Sequence, residues 1–422
     1  MNQDNQRSLA NIIRSCLSTI FLCTWIAVHP NIHFRPEKLK QPWSEKWLWD
    51  PLHELFTYKL PLFFWALIVP EYILSWAIRQ YIQAGKFSKQ VEGWTRTHGF
   101  FLIMGGFHLF RLPEGAPSIP LPIESSKPCE VVIPSGTNPG KDAIPVCPLK
   151  LDDLSTDVFG FIAPTEGELK DRGKSDALTK TIVLVQTLWF VIQCIARGIR
   201  QLPLTELEVV TLAYAMLNFF IYIFWWDKPK GAERPIRVYK PFGASHEESG
   251  KPLREWPENR VWRWAQTVFE YTIGVQDDYV KLSQRRSVPM FWSGRLGYDA
   301  AHDILFATVL GAGFGAMHCI AWSSDFPSRA ELVLWRVACV AMIAIPAMVT
   351  MGVGLTNLSL VNERYFGWLM IIAEIIVVLL VLSAWLYIAS RITTLVIALT
   401  TLRSLPPAAF TNVDWTTFFP HI

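Results

Sequence analysis

The chain is short of charge. Only 18% of its 422 residues are Asp, Glu, Lys or Arg, against roughly 25% in an ordinary soluble protein. Net charge is +3, and no basic stripe with interleaved aromatics occurs, so nucleic acid is excluded as a partner. Cysteine is sparse and unpatterned: seven residues without metal-ligand or redox spacing. Cys16, Cys23, Cys194, Cys319 and Cys339 fall in apolar segments and read as core or lipid-facing residues. Cys129 and Cys147 share a Pro-rich loop, where they pair only in an oxidising compartment. The familiar catalytic signatures are missing. There is no HExxH, GxSxG or Walker motif, no repeated His-rich boxes, and no paired Asp-rich motifs for magnesium diphosphates. Neither a metal nor a cofactor is therefore expected. No convincing internal repeat appears, which argues against inverted-repeat transporter plans. Arg7 and Arg14 precede an apolar run to Val28 without a small-x-small cleavage site, so this segment reads as a signal anchor.

What the chain has instead is apolar sequence in blocks. Hydrophobic residues make up 51%, and many of its 19 Trp lie at block ends, among them Trp43, Trp47, Trp49, Trp225, Trp226, Trp322 and Trp368. Amphipathic rings prefer that headgroup level. The pattern predicts an all-α, polytopic transmembrane helix bundle of about seven spans. These are Leu9–His29, Tyr58–Ile78, Leu178–Ile199, Leu204–Trp226, Ala301–Trp322, Glu331–Leu355 and Phe366–Ile388. His98–Phe110 is apolar but too short to span and contains Gly99, Gly105 and Gly106, which predicts a short re-entrant or interfacial helix.

The division that follows is residues 1–110 (two spans and the short helix), a Pro/Gly-rich hydrophilic loop at 111–177, a transmembrane hairpin at 178–226, a second hydrophilic loop at 227–300, three spans at 301–402 and a tail at 403–422. The first loop has 7 basic and 11 acidic residues; the second has 13 basic and 10 acidic. Neither shows a βαβ pattern or a Gly-rich phosphate loop. The second carries an aromatic-basic stretch, Trp256–Trp264, that reads as a helix lying on the bilayer surface. Lys and Arg clusters after the second and fourth spans and before the third and fifth place the N-terminus in the cytosol of a plasma membrane or endomembrane. Arg197, Arg200 and a basic first loop run against that orientation. In this scheme the sequon at Asn357 is cytosolic and unglycosylated.

Charges inside apolar runs are the lead to function. A carboxylate at mid-bilayer costs roughly 2.5–3.5 kcal/mol, so it is normally paired, protonated or turned to a polar cavity. Glu374 lies in Phe366–Ile388, Glu71 follows Pro70 inside the second span, and His318 lies in the fifth. These three are the candidates for a polar or ion path. Each also has a structural reading: packing hydrogen bonds for the two acids, a satisfied histidine in a packing helix for His318. Gly311-x-x-x-Gly315 favours close helix contact beside it. Secondary candidates are His98, Arg336, Glu206 and Glu208. Thr205 and Glu208 fit a capping box if Thr205 is the N-cap. Asp325 and Glu331 are near enough in sequence to pair with Arg336.

Several strings taken together carry a resemblance: HGFFLIMGGF from His98, DRGKSDALTKTIVLVQTLWFVIQCIAR from Asp171, LPLTELEVVTLAYAMLNFFIYIFWWDKP from Leu202, FGAMHCIAW from Phe314 and RSLPPAAFTNVDWTTFFPHI from Arg403. The set resembles a large family of fungal multi-pass integral membrane proteins. The resemblance implies a fungal source and a membrane location, and it carries over no catalytic residue.

Two functional classes follow. In the first, the bundle is a channel, transporter or membrane sensor with a polar intramembrane path, and a small ion is its natural partner. In the second, a membrane-embedded enzyme acts on a lipid, terpenoid or acyl substrate, with the same acids and histidine as acid and base. The lipid bilayer is a partner in both, and a homo-oligomer is open to either.

Overall fold

A computed structural model describes residues 6–34, 49–122, 131–135, 143–172, 174–232, 234–242, 277, 280–294, 300–361 and 366–413, with helical side chains at 174–177, 300–304, 306–307, 349, 352–361, 366–377 and 380–381 outside that description. Cys129, the stretch Trp256–Trp264 and the side chains of Asn357 and Glu374 lie outside the described residues.

Helices α1 (Leu9–Phe21), α2 (Asp50–Glu54), α3 (Leu60–Ile68) and α4 (Pro70–Ser88) lead into α5 (Arg96–Ile103). Short helices α6 (Thr156–Ile162) and α7 (Glu166–Asp171) precede the hairpin of α8 (Lys174–Ile199) and α9 (Glu206–Phe224). The chain closes with α10 (Ala300–Met317), α11 (Arg329–Val361) and α12 (Phe366–Thr400). Among the described residues, five helical segments are long and apolar enough to cross a membrane: Leu9–Ile26, Leu178–Ile199, Glu206–Phe224, Arg329–Met348 and Leu382–Ser404. A sixth is a bent pair, Asp50–Ile68 with Pro70–Ser88, turned by 108° at the break. The expected fifth span is helical from Ala300 through α10 and a 3-10 turn to Ala321, with Thr308–Ala321 its apolar part among the described residues. In the expected seventh, α12 runs on past Ile388 to Thr400, and its apolar stretch among the described residues is Leu382–Ser404.

The all-α expectation needs correcting. A five-stranded sheet of order β2-β3-β5-β1-β4 joins the two hydrophilic loops to the end of the short apolar segment. Its strands are β1 (Phe107–Arg111), β2 (Ser118–Pro120), β3 (Val132–Pro134), β4 (Ile144–Pro148) and β5 (Ile236–Lys240). β1 runs antiparallel to β4 and parallel to β5, with a register shift between Leu109 and Phe110. The segment expected as one short helix is thus half helix and half strand. Gly105, at φ +85, ends α5, and Gly106 has no room for a side chain because a Cβ would lie 2.4 Å from the Phe101 ring. A chain turned that sharply leaves the helix and enters the sheet.

The sheet covers a core of Trp94, Phe101, Phe107 and Phe159. A second core surrounds α4, where Trp76, Trp225 and Phe291 meet edge to face. A third joins α1, α8, α9 and α11 around Cys16, Tyr214 and Trp335. Gly315 lets α10 touch α11, since a Cβ there would lie 2.9 Å from the Met342 backbone.

Candidate site at the broken helix

The second apolar run breaks where its proline dictates. Pro70 has no N–H to offer Ala66, and the residue before a proline avoids the helical region. Val69 accordingly sits at φ −135, ψ 65, and α4 restarts with Pro70 in its first turn. The Tyr72 N–H turns to the Val69 carbonyl at 3.0 Å, which releases the Ile68 carbonyl it would meet in a continuous helix.

Side chains from other helices take up the released groups. The Tyr214 hydroxyl, from α9, donates to the Leu67 carbonyl. Arg391, from α12, donates through Nε to the Ile68 carbonyl at 3.2 Å and through Nη2 to the Tyr214 hydroxyl at 3.2 Å. Its Nη1 lies 3.7 Å from Met342 Sδ, and the guanidinium sits 3.9 Å over the Phe314 ring. Arg391 is fully buried. A cation in such a place requires carbonyls, ring faces or a counter-charge.

The counter-charge is Glu71. It occupies the first turn of α4, where the helix dipole favours a carboxylate. Its field acts on Arg391, although no direct ion pair joins the two among the described residues. The Tyr387 hydroxyl donates to Oε1. Oε2 is buried without a hydrogen-bond partner. Gly311 of α10 packs on the same side chain, since a Cβ there would lie 3.3 Å from Glu71 Cγ. The Gly311–Gly315 face therefore meets two helices, α4 at one glycine and α11 at the other.

His318 packs against Phe314 as well. Its ring centroid is 5.0 Å from that of Phe314 and 5.9 Å from that of Trp335. Nδ1 meets the Phe314 carbonyl at 2.9 Å, so Nδ1 carries the hydrogen. Nε2 is then a lone pair, buried and without a partner. Glu71 and His318 thus flank one sealed group made of Arg391, Phe314 and Tyr214. Glu374 is on the same helix as Tyr387, thirteen positions earlier (374 to 387), which is about 20 Å along the axis.

The secondary candidates have structural work. His98 bonds the Pro164 carbonyl through Nε2 at 2.9 Å and the Thr95 N–H through Nδ1 at 3.1 Å. Glu208 closes the expected capping box with Thr205 and also takes a two-point contact from Arg7. Glu206 is buried beside Thr401 and Ser324. Arg336 donates to the Trp322 carbonyl at 2.9 and 3.1 Å, while Glu331 pairs with Arg403 at 2.9 Å.

Sequence reasoning passed over Arg391, Tyr387 and Tyr214. Arg391 was available to the same argument as Glu374, a charge between two apolar runs. The run before it, Phe366–Ile388, already reaches bilayer length, so the arginine falls just past the expected span. Tyr387 and Arg391, four apart, share one face of α12.

A family model described as a family of unknown function (DUF8562) matches residues 161–241, from the end of α6 through α8 and α9 to just past β5. That stretch contains Tyr214 but not Glu71, His318 or Arg391. No curated protein and no solved structure matches the chain.

Proposed function

We propose that the protein is a multi-pass membrane transporter or channel that moves a proton, with Glu71 as the group that carries it. The observation behind the reading is Glu71 Oε2, buried without a partner at the break of a bent apolar helix pair. Broken helices supply coupling-ion sites because their ends free backbone groups at depth. Here the freed carbonyls are held by Tyr214 and Arg391, and the carboxylate has one oxygen to spare.

The chemistry of a proton cycle follows from the charges. Ionised Glu71 balances Arg391, and the cluster is neutral. A proton on Oε2 leaves the guanidinium uncompensated in a low-dielectric site, which is costly. The strain falls on the Ile68 carbonyl that Arg391 holds, and hence on the Val69 hinge between α3 and α4. The same proton switches both charge and helix geometry, which is what coupling requires. His318 Nε2 is a second free acceptor, in the 3-10 turn that follows α10, seven residues from Gly311 and so about 10 Å along the helical run. That spacing suits two stations on a path better than an acid and a base on one reacting atom.

Proton flux into liposomes with a pH-sensitive dye inside tests the reading, under a potassium diffusion potential. The expected result is flux above protein-free liposomes for the native chain and background flux for Glu71→Gln. A Glu71→Gln protein that elutes as one species and conducts like the native chain sinks the proposal. So does a native chain with no flux.

A further inference from the structure

We infer that the groove between α4, α8 and α9 binds a zwitterionic glycerophospholipid. The inference rests on the membrane location proposed above and not on the proton path. The groove holds about 410 Å³. Its charged lining is one cation and one anion, Arg96 at the start of α5 and Asp227 just past α9. They face each other at 3.6 Å, each side chain 36% exposed. A pair that loose and that wet is worth little by itself and opens at small cost. Arg96 stacks 4.0 Å over Tyr81, and its Nε is buried without a hydrogen-bond partner.

Below this polar end the wall is apolar. Phe219 and Ile223 of α9 are exposed large hydrophobics, and Leu184 of α8 lines the opposite side. Phe219 is five residues before the end of α9, which puts it about 7 Å deeper along the helix axis than the turn that carries Asp227. Exposed Trp226 marks the headgroup level at the mouth. The arrangement matches one ligand chemistry. A phosphate meets Arg96, the ammonium beside it meets Asp227, and the upper acyl chain lies along Phe219 and Ile223. An anionic headgroup meets the same arginine but finds Asp227 repelling it.

Native mass spectrometry tests this, with the full chain released from nanodiscs holding equal amounts of phosphatidylcholine and phosphatidylglycerol of the same acyl chains. The native chain is expected to retain phosphatidylcholine about fivefold over phosphatidylglycerol, the preference that a rim charge supplies. Asp227→Asn should erase or invert that preference without lowering total lipid retention. Arg96→Gln should lower retention of both lipids. Ile223→Trp, which fills the groove, should do the same. Glu71→Gln should leave the preference unchanged, which separates this inference from the proton path. A native preference for phosphatidylglycerol, no preference, or an unchanged ratio in Asp227→Asn overturns it.

Discussion

Two fully buried basic side chains, Arg391 and Lys228, sit in different company. Lys228, just past α9, donates to Gln80 Oε1 at 2.8 Å and to the His29 carbonyl, between the rings of Trp225 at 4.3 Å and Trp76 at 4.5 Å. Gln80 in turn donates to the Trp292 carbonyl at 2.7 Å and to Asn31 Oδ1 at 3.0 Å, and its Oε1 also accepts from Trp225 Nε1 at 3.1 Å. No carboxylate pairs with Lys228 among the described residues, and burial pushes its amine well below the ordinary range. Every polar atom of Gln80 is used. Around Arg391 the accounting differs: Glu71 Oε2 and His318 Nε2 are left over. A saturated buried network holds a chain in one arrangement, whereas spare valences leave room for one more atom. The difference separates an anchor from a candidate proton site, although both read in sequence as misplaced charge.

The largest test of that difference is a double-mutant cycle between Arg391 and Glu71. Arg391→Met leaves the Ile68 carbonyl uncapped and the Glu71 charge uncompensated, and should cost about 3–5 kcal/mol in thermal or urea unfolding. Adding Glu71→Gln removes the stranded charge, so the double variant should regain at least about 1 kcal/mol over Arg391→Met alone. Additive losses would mean that the two groups do not sense each other and that the cluster is no charge pair.

Unpartnered polar atoms also occur away from the apolar spans, and there the comparison predicts a stability cost in place of transport. His108 on β1 is fully buried, stacks 4.2 Å from Phe34, and neither of its nitrogens has a hydrogen-bond partner. Burial pushes its imidazole down to about 4. The folded state therefore resists the proton that the unfolded chain accepts near pH 6.5. Above that pH the histidine contributes nothing to the pH dependence. As pH falls from 6.5 to 4, stability drops by about 3 kcal/mol, at 1.36 kcal/mol per pH unit. His108→Leu should flatten that part of the unfolding profile. An unchanged profile would place the acid sensitivity in another group.

How far the sequence carried this fold depends on whether the signal was local. Helix positions were legible because length, hydropathy and caps are local: Leu178–Ile199 is recovered as predicted, and Thr205 with Glu208 forms the expected box. The break at Pro70 was legible as a kink, but not as a turn of 108°. The sheet was not. Its strands are three to five residues long, three of them contain proline, and β1 finds β5 across more than a hundred residues. Proline ordinarily argues against a strand, and pairing at that distance leaves no periodic trace. Of the site, Glu71 and His318 were legible as charge and imidazole in apolar sequence. That they face one arginine was not, because Arg391 lies beyond the point where a bilayer-length run had already been counted. Glu374, the first choice from sequence, belongs to the same helix but to a different depth.

The last test acts on the saturated side. Lys228→Met keeps the length of the side chain and its contact with Trp76 and Trp225, but withdraws the donor from Gln80 and the His29 carbonyl. The Trp225 N–H still serves Gln80, so one carbonyl is left bare, and the expected loss is about 1–3 kcal/mol of unfolding free energy. Proton flux per folded molecule should be unchanged, because no atom of Gln80, the centre of this network, is left as a free acceptor. Glu71→Gln should lose flux instead, at a stability cost of its own, because the amide no longer balances buried Arg391. If Lys228→Met stops flux while the protein remains folded, the lysine belongs to the path. Saturation of a buried network would then not mark an anchor in this molecule.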